Sequence, residues 1–284
     1  MIYYHYGNLK NATITAGDVT AKLQYPMANI NYLNKNLYTE IENDDTSASA
    51  IDHKIVLAKI DFGAVQSGIT SCALDLSSFA ISLDGITYNI SAVRIAVYGS
   101  TDDITYAKVD SLWDAGKVEA SAYSTTLTDI YTETFDTRTY RYWEIVLEVV
   151  HDLPNTLDWD IDGKINNLYV GDYIELPSPA FVPYGFTHKV KSSEAFGGSQ
   201  FGIDTQGQRK TWAFKYGGLD NDDKTNIESF DLVNKGGSVP CYIESLEGST
   251  QIIDPHFARV YGGETLQQIA YRVYEMTNNI EEEL

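Results

Sequence analysis

The chain has 284 residues and a formal net charge of −20, from 40 Asp and Glu against 20 Lys and Arg. That length suits two ordinary domains or one large β domain. Acid on this scale is repelled by phosphate and argues against sequence-specific nucleic-acid binding, and no apolar run reaches the roughly eighteen residues of a membrane helix, so membrane insertion is not expected.

The opening, "MIYYHYGNLKNATITAG", has no basic end followed by an apolar stretch, and no secretory signal is expected from it. Cys72 and Cys241 lie far apart, form no metal pattern, and fit folding in a reducing cytosol without a disulfide. The 21 tyrosines favour strands, interfaces and sugar-binding surfaces, because the ring is apolar and its tip polar. Residues Asn43 to Asp52, "NDDTSASAID", form the most loop-like segment of the first half.

Next come short alternating runs. In "AVRIAVYGSTDDITYAKV", Val93, Ile95 and Val97 share a face, Gly99 to Asp103 supply a turn, and a second strand follows. In "RYWEIVLEVV", Trp143, Ile145, Leu147 and Val149 alternate with Tyr142, Glu144, Val146 and Glu148. Several such strands without an amphipathic helix predict a β-sandwich or jelly roll.

In "TLDWDIDGKINNLYVGDYIELP", Asp158, Asp160 and Asp162 alternate ahead of Gly163, as calcium loops often begin. The twelfth position, where a bidentate carboxylate is needed, is Tyr169, so only half of a coordination set exists. The expected conformation is an acidic turn closing the first domain; calcium is the minority reading and no other cofactor is expected. Pro177, Pro179 and Pro183 then mark a connection between domains 1–173 and 174–284.

In the second domain, "QRKTWAFKYGG" puts Trp212, Phe214 and Tyr216 on one face of a strand. A central helix follows, capped by Asp220, with Ile227, Phe230 and Val233 near helical spacing and Gly236–Gly237 as the stop. After a strand in "SVPCYIESL", the sequence "ETLQQIAYRVYEMTNN" predicts a terminal helix. Leu266, Ile269, Val273 and Met276 form its stripe, and Thr265 with Gln268 its capping box. Such a stripe most often closes its own core; Tyr271, Tyr274 and Met276 are the candidates if it docks on a neighbouring subunit instead. The predicted fold is thus mainly β: an N-terminal jelly-roll sandwich, then a β-rich domain with one central and one C-terminal helix.

Two resemblances carry these readings further. The phrases "NATITAGDVTAKLQYPMANI", "IVLAKIDFG", "IAVYGSTDDITYAKV" and "TRTYRYWEIVL", in that order over about residues 8 to 173, resemble the discoidin-type, galactose-binding-like jelly roll. The Ser100–Asp103 hairpin together with Arg141, Tyr142 and Trp143 is the most specific part of that match. Tyr38 and Tyr106 stand where a tryptophan is common, and the end-joining disulfide of many secreted members is missing. "LYVGDYIELPSPAF", "RKTWAFKYGGLD" and "NDDKTNIESFDLVNKGGSVPCYI", over about residues 165 to 261, resemble bacteriophage tail and baseplate proteins of the distal-tail and minor-tail kind.

The second resemblance implies a structural virion protein, made in the host bacterial cytoplasm. It would assemble with itself into a ring, of sixfold symmetry by that likeness, and with other tail proteins. The alternative function is a carbohydrate-binding module for a host glycan, with Asn43, Asp44, Trp113 and Asp114 as candidate sugar contacts. A glycan-cleaving enzyme is the third. The five histidines are scattered, and there is no nucleophile elbow, no P-loop and no catalytic residue to name. "EAFGGSQFG" is glycine-rich but lacks the lysine and threonine of a phosphate cradle, so it reads as a loop. The expectation is therefore a non-enzyme.

Overall fold

The structure is a computed structural model that describes residues 2–6, 12–22, 24, 27, 38–43, 52–84, 90–118, 123–151, 158–177, 184–194, 200–235, 237–247, 250–261 and 266–282. Its elements in chain order are β1 (Ile2–Tyr6), β2 (Thr13–Ala16), β3 (Thr20–Ala21), β4 (Thr39–Asn43), β5 (Asp52–Asp84), β6 (Ile90–Ser100), β7 (Ala107–Asp114), β8 (Tyr123–Leu127), β9 (Ile130–His151), β10 (Asp158–Leu176), β11 (Tyr184–Glu194) and β12 (Gln200–Leu219). There follow α1 (Asn221–Asn234), β13 (Cys241–Glu247), β14 (Thr250–Tyr261), β15 (Gln267–Ala270) and β16 (Val273–Glu282). The chain forms two compact units: Gly7–Tyr173, and Ile174–Leu284 together with Met1–Tyr6.

The first unit is a two-layer sandwich, made possible by two strands that each serve both layers. Residues 52–61 of β5 pair with β2 on one side and with the second half of β9 on the other; β9 pairs in turn with β6, and β6 with β7. Farther along, β5 turns where Gly63 and Gly68 adopt positive φ, a conformation cheap only for glycine. Its second half pairs with β10, with β8 and with the first half of β9, while β4 covers the other edge of β10. The period-two faces read from sequence fill the space between the layers. Val93, Ile95, Val97, Trp143, Ile145, Leu147 and Val149 are all fully buried. Trp143 lies against the rings of Tyr140 (5.5 Å) and Phe135 (6.1 Å).

The second unit is an antiparallel sheet ordered β11-β12-β16-β14-β13-β1, with β15 paired to β16. Trp212, Phe214 and Tyr216 are buried in its core, and α1 lays Ile227 and Phe230 on it. Phe230 packs on Tyr4 (5.4 Å) and Tyr6 (5.3 Å). The helix begins at the expected cap: Asp220 accepts from the amides of Asp222 and Asp223. Asp223 also answers the Asp220 amide, a capping box the sequence reading did not assign to this helix. It ends one residue earlier than the glycine pair, at Lys235 in the left-handed conformation.

Three expectations are corrected here. The terminal helix is a hairpin. β15 and β16 are joined by a turn in which Arg272 has a φ of 57°, and Met276, Asn278 and Ile280 are buried at period two. Valine, threonine and tyrosine favour a strand here, and β16 gains ladder bonds from β12 and β14 at once, which no isolated helix could match. Secondly, Met1–Tyr6 belongs to the C-terminal unit, because β1 pairs with β13 from Ile2↔Ser245 to His5↔Tyr242. Thirdly, residues 158–162 form the start of strand β10 where a turn was expected. Within the proline-marked connection, Pro177 follows β10 directly, and residues 178–183 lie outside the described set.

Candidate functional site

The candidate site is the outward face of the layer formed by β5, β9, β6 and β7. Because side chains alternate, burying Trp143, Ile145 and Leu147 obliges Glu144, Val146 and Glu148 to point away from the core. Strand register then sets their neighbours in rows. Lys54, Glu148, Arg94 and Asp114 are successive cross-strand partners, so charge alternates across four strands. Lys59, Glu144, Tyr98 and Lys108 make a second such row. Between them lie Val56, Val146 and Ala96, which with Tyr98 and Tyr106 form a small apolar cluster.

Glu148 is only 4 % exposed. Its Oε2 accepts the Tyr98 hydroxyl at 2.6 Å, its Oε1 accepts from Lys108 Nζ, and an Arg94 guanidinium nitrogen lies 3.6 Å away. Burial pushes its pKa up. The bonds from Lys108 and Tyr98 and the charges of Lys108 and Lys54 outweigh that, so the carboxyl is held below its usual range. Glu144, also buried, pairs with Lys59 Nζ at 3.0 Å, which holds the ammonium above its usual range. Two tyrosine rings carry cations: Lys54 Nζ stands 4.3 Å from the Tyr98 centroid, and Lys59 Nζ 5.9 Å from that of Tyr106. Burial, and then its bond to Asp103, push the Tyr106 hydroxyl far up. The neighbouring β6–β7 turn is held by Asp102, whose carboxylate accepts from the amides of Thr105 and Ile104.

This face can offer a ring for apolar contact, fixed carboxylates as acceptors and ammonium groups as donors within one rigid sheet.

The residues singled out from sequence fall elsewhere. Trp113 and Asp114 do not converge. Trp113 lies on the core side of β7 and packs against the sandwich interior, while Asp114 points outward to Arg94 Nε (2.6 Å) and accepts the Gly116 amide. Asn43 ends β4 opposite Ile161, and Asp44 lies outside the described residues. Asp158, Asp160 and Asp162 sit in extended backbone opposite Asp84, Ser82 and Ala80, so the loop that wraps a calcium ion is not their conformation. Asp160 and Asp162 are exposed, and Asp162 shares Lys22 with Glu40 and Glu42. Among the described residues no group of three or more His, Cys, Asp or Glu is arranged to hold a metal.

Of the assembly candidates, Met276 is in the core of its unit, 2 % exposed and unable to meet a neighbour. Tyr274 packs against that core with its hydroxyl 3.3 Å from Asn221 Oδ1. Tyr271, at the hairpin tip, is 81 % exposed. Cys72 and Cys241 are free and buried, and burial pushes both thiols far up. No helix among the described residues is long and apolar enough to cross a membrane.

The residues missed from sequence are Lys54, Lys59, Arg94, Tyr98 and Lys108. Glu144 and Glu148 were visible as the non-core positions of one strand, but their partners come from three others and leave no local trace.

No known protein family matches the chain, and no curated protein does. Solved structures with a distant likeness exist. One is the CBM32-1 module from a family 31 glycoside hydrolase of Clostridium perfringens, at 16 % identity, TM-score 0.35, covering 59 % of this chain and 99 % of that one. Another is the family 32 carbohydrate-binding module of C. perfringens NanJ in complex with galactose, at 12 % identity, TM-score 0.32, covering 61 % and 100 %. A third is a chitosan-binding module from a Paenibacillus chitosanase/glucanase, at 14 % identity, TM-score 0.32, covering 59 % and 98 %.

Proposed function

We propose that the chain is a carbohydrate-binding protein with no catalytic role, and that the outward face of its N-terminal sandwich holds the glycan. The observation that carries this reading is the joining of Tyr106, Lys59, Glu144 and Lys108 on one rigid sheet face. A pyranose presents an apolar C–H face and a rim of hydroxyls. The half-buried Tyr106 ring suits the first, and the glutamate–lysine pairs suit the second. Strand pairing fixes these groups in advance, which lowers the ordering cost of binding.

The test is a glycan array with the full chain, followed by titration of any hit against Glu144→Gln and Lys59→Ala. Binding weakened about tenfold or more in both, roughly 1.4 kcal/mol, is expected, with circular dichroism unchanged. Retention of no glycan by the parent would sink the proposal.

A second reading, compatible with the first, is a self-assembling subunit of a phage tail. It is favoured by the β15–β16 hairpin, where strand β15 is exposed throughout and Ile269 (50 %) and Tyr271 (81 %) face solvent. An uncharged edge strand with exposed apolar residues is a surface that proteins usually cover. Light scattering of the purified chain is expected to return a ring-sized mass that Tyr271→Asp reduces to the monomer. A parent that stays monomeric at every concentration counts against it.

A further inference from the structure

The C-terminal unit holds a cavity of about 10 Å³ between α1 and the sheet, walled by apolar side chains that include Ile227, Phe230 and Met276. Four polar residues also line it: Tyr4, Asp231, Asn234 and Asn278. Both asparagines are 3 % exposed, and no donor among the described residues reaches Asn234 Oδ1 or Asn278 Oδ1. Leaving a buried acceptor unpaired is costly, and native interiors avoid it.

The orientation of the Asn234 amide follows from its other end. Asn234 Nδ2 donates to the Val260 carbonyl at 2.9 Å, and a flipped amide would set two oxygens against each other there. Asn278 Nδ2 lies 3.5 Å from the Tyr4 hydroxyl, which it approaches as a donor. Tyr4 and Tyr216 share a hydrogen bond of 2.6 Å in which either hydroxyl could donate. If Tyr216 donates, the Tyr4 oxygen accepts from Tyr216 and from Asn278, and its own proton is free.

We infer that this cavity is a binding site for one water molecule, which donates to Asn234 Oδ1 and Asn278 Oδ1 and accepts from the Tyr4 hydroxyl. A volume near 10 Å³ is about the least that admits one water, and buried waters typically make about three hydrogen bonds. The assignment satisfies both orphaned oxygens and gives the Tyr216–Tyr4 bond a direction. It also ties the last residue of α1 to the first and last strands of the chain. An apolar occupant would leave both oxygens unpaired.

A crystal structure of the full chain at near-atomic resolution tests it. The expected result is one density peak at about 2.7–3.2 Å from Asn234 Oδ1, Asn278 Oδ1 and the Tyr4 oxygen. No peak, a peak that gives anomalous signal after a rubidium soak, or amides rotated onto protein partners each overturns the assignment. In solution, oxygen-17 relaxation dispersion of the parent and of Asn278→Leu should differ by the loss of one long-lived water. An unchanged count in a folded variant also overturns it, and should that variant not fold, the crystal result decides alone.

Discussion

Trp143→Ala is expected to lower the stability of the Gly7–Tyr173 unit by about 3–5 kcal/mol, the range for removing a large aromatic from a packed core. Trp143 is fully buried and is the largest of the side chains so enclosed. It stands on β9, which contributes to both layers, so the cavity would open where the layers share a strand. Trp143→Phe should cost much less, since the buried indole Nε1 has no hydrogen-bond partner among the described residues and its loss leaves none of them newly unpaired. Urea unfolding monitored by fluorescence and circular dichroism reads both values. Equal midpoints for the parent and the alanine variant would contradict the packing described.

Glu148→Gln is expected to cost about 2 kcal/mol near neutral pH, the scale of charge-assisted hydrogen bonds lost from a buried acceptor. The figure is set below that for a fully buried ion pair because the Lys108 and Arg94 side chains are each 32 % exposed. The effect carries a pH signature. The folded pKa of Glu148 is lowered from an unperturbed 4.5. Its contribution is therefore fully present above that value and is lost as pH falls through the lower folded value. The stability curves of parent and Glu148→Gln should separate above about pH 5 and converge in acid. A gap that stays constant into acid would show that the carboxylate is not held by Lys108, Tyr98 and Arg94. The same variant bears on the proposed glycan face, because Glu148 fixes the cations beside Glu144.

Each strand face that sequence identified correctly has the same cause. In "RYWEIVLEVV" and "TWAFKY" the alternation is local, and a chain with one greasy face at period two can only be stable as a strand on a core. The α1 start was equally local, since the cap and the capping box lie within four residues. The terminal hairpin was not local. Leu266, Ile269, Val273 and Met276 fit a helical stripe, but the choice was made by β12 and β14, distant in sequence, which bond both edges of β16. The acidic run at 158–162 looks like a turn locally for a similar reason: its pairing with β5 reaches back to Asp84 and Ser82.

By itself, then, the sequence determined the class: a mostly β chain, a sandwich core of alternating apolar residues, one capped helix, and a surface rich in acid and tyrosine. Tertiary structure alone decided where the charges meet. Trp113 and Asp114 are neighbours in sequence but face opposite ways, because successive strand residues alternate. Lys54, Glu148 and Arg94 are scattered in sequence but adjacent in space, because register between strands sets cross-sheet neighbours. The face proposed to bind glycan and the cavity proposed to hold water are both products of that register, and pairing across long stretches of chain leaves no mark in any local pattern.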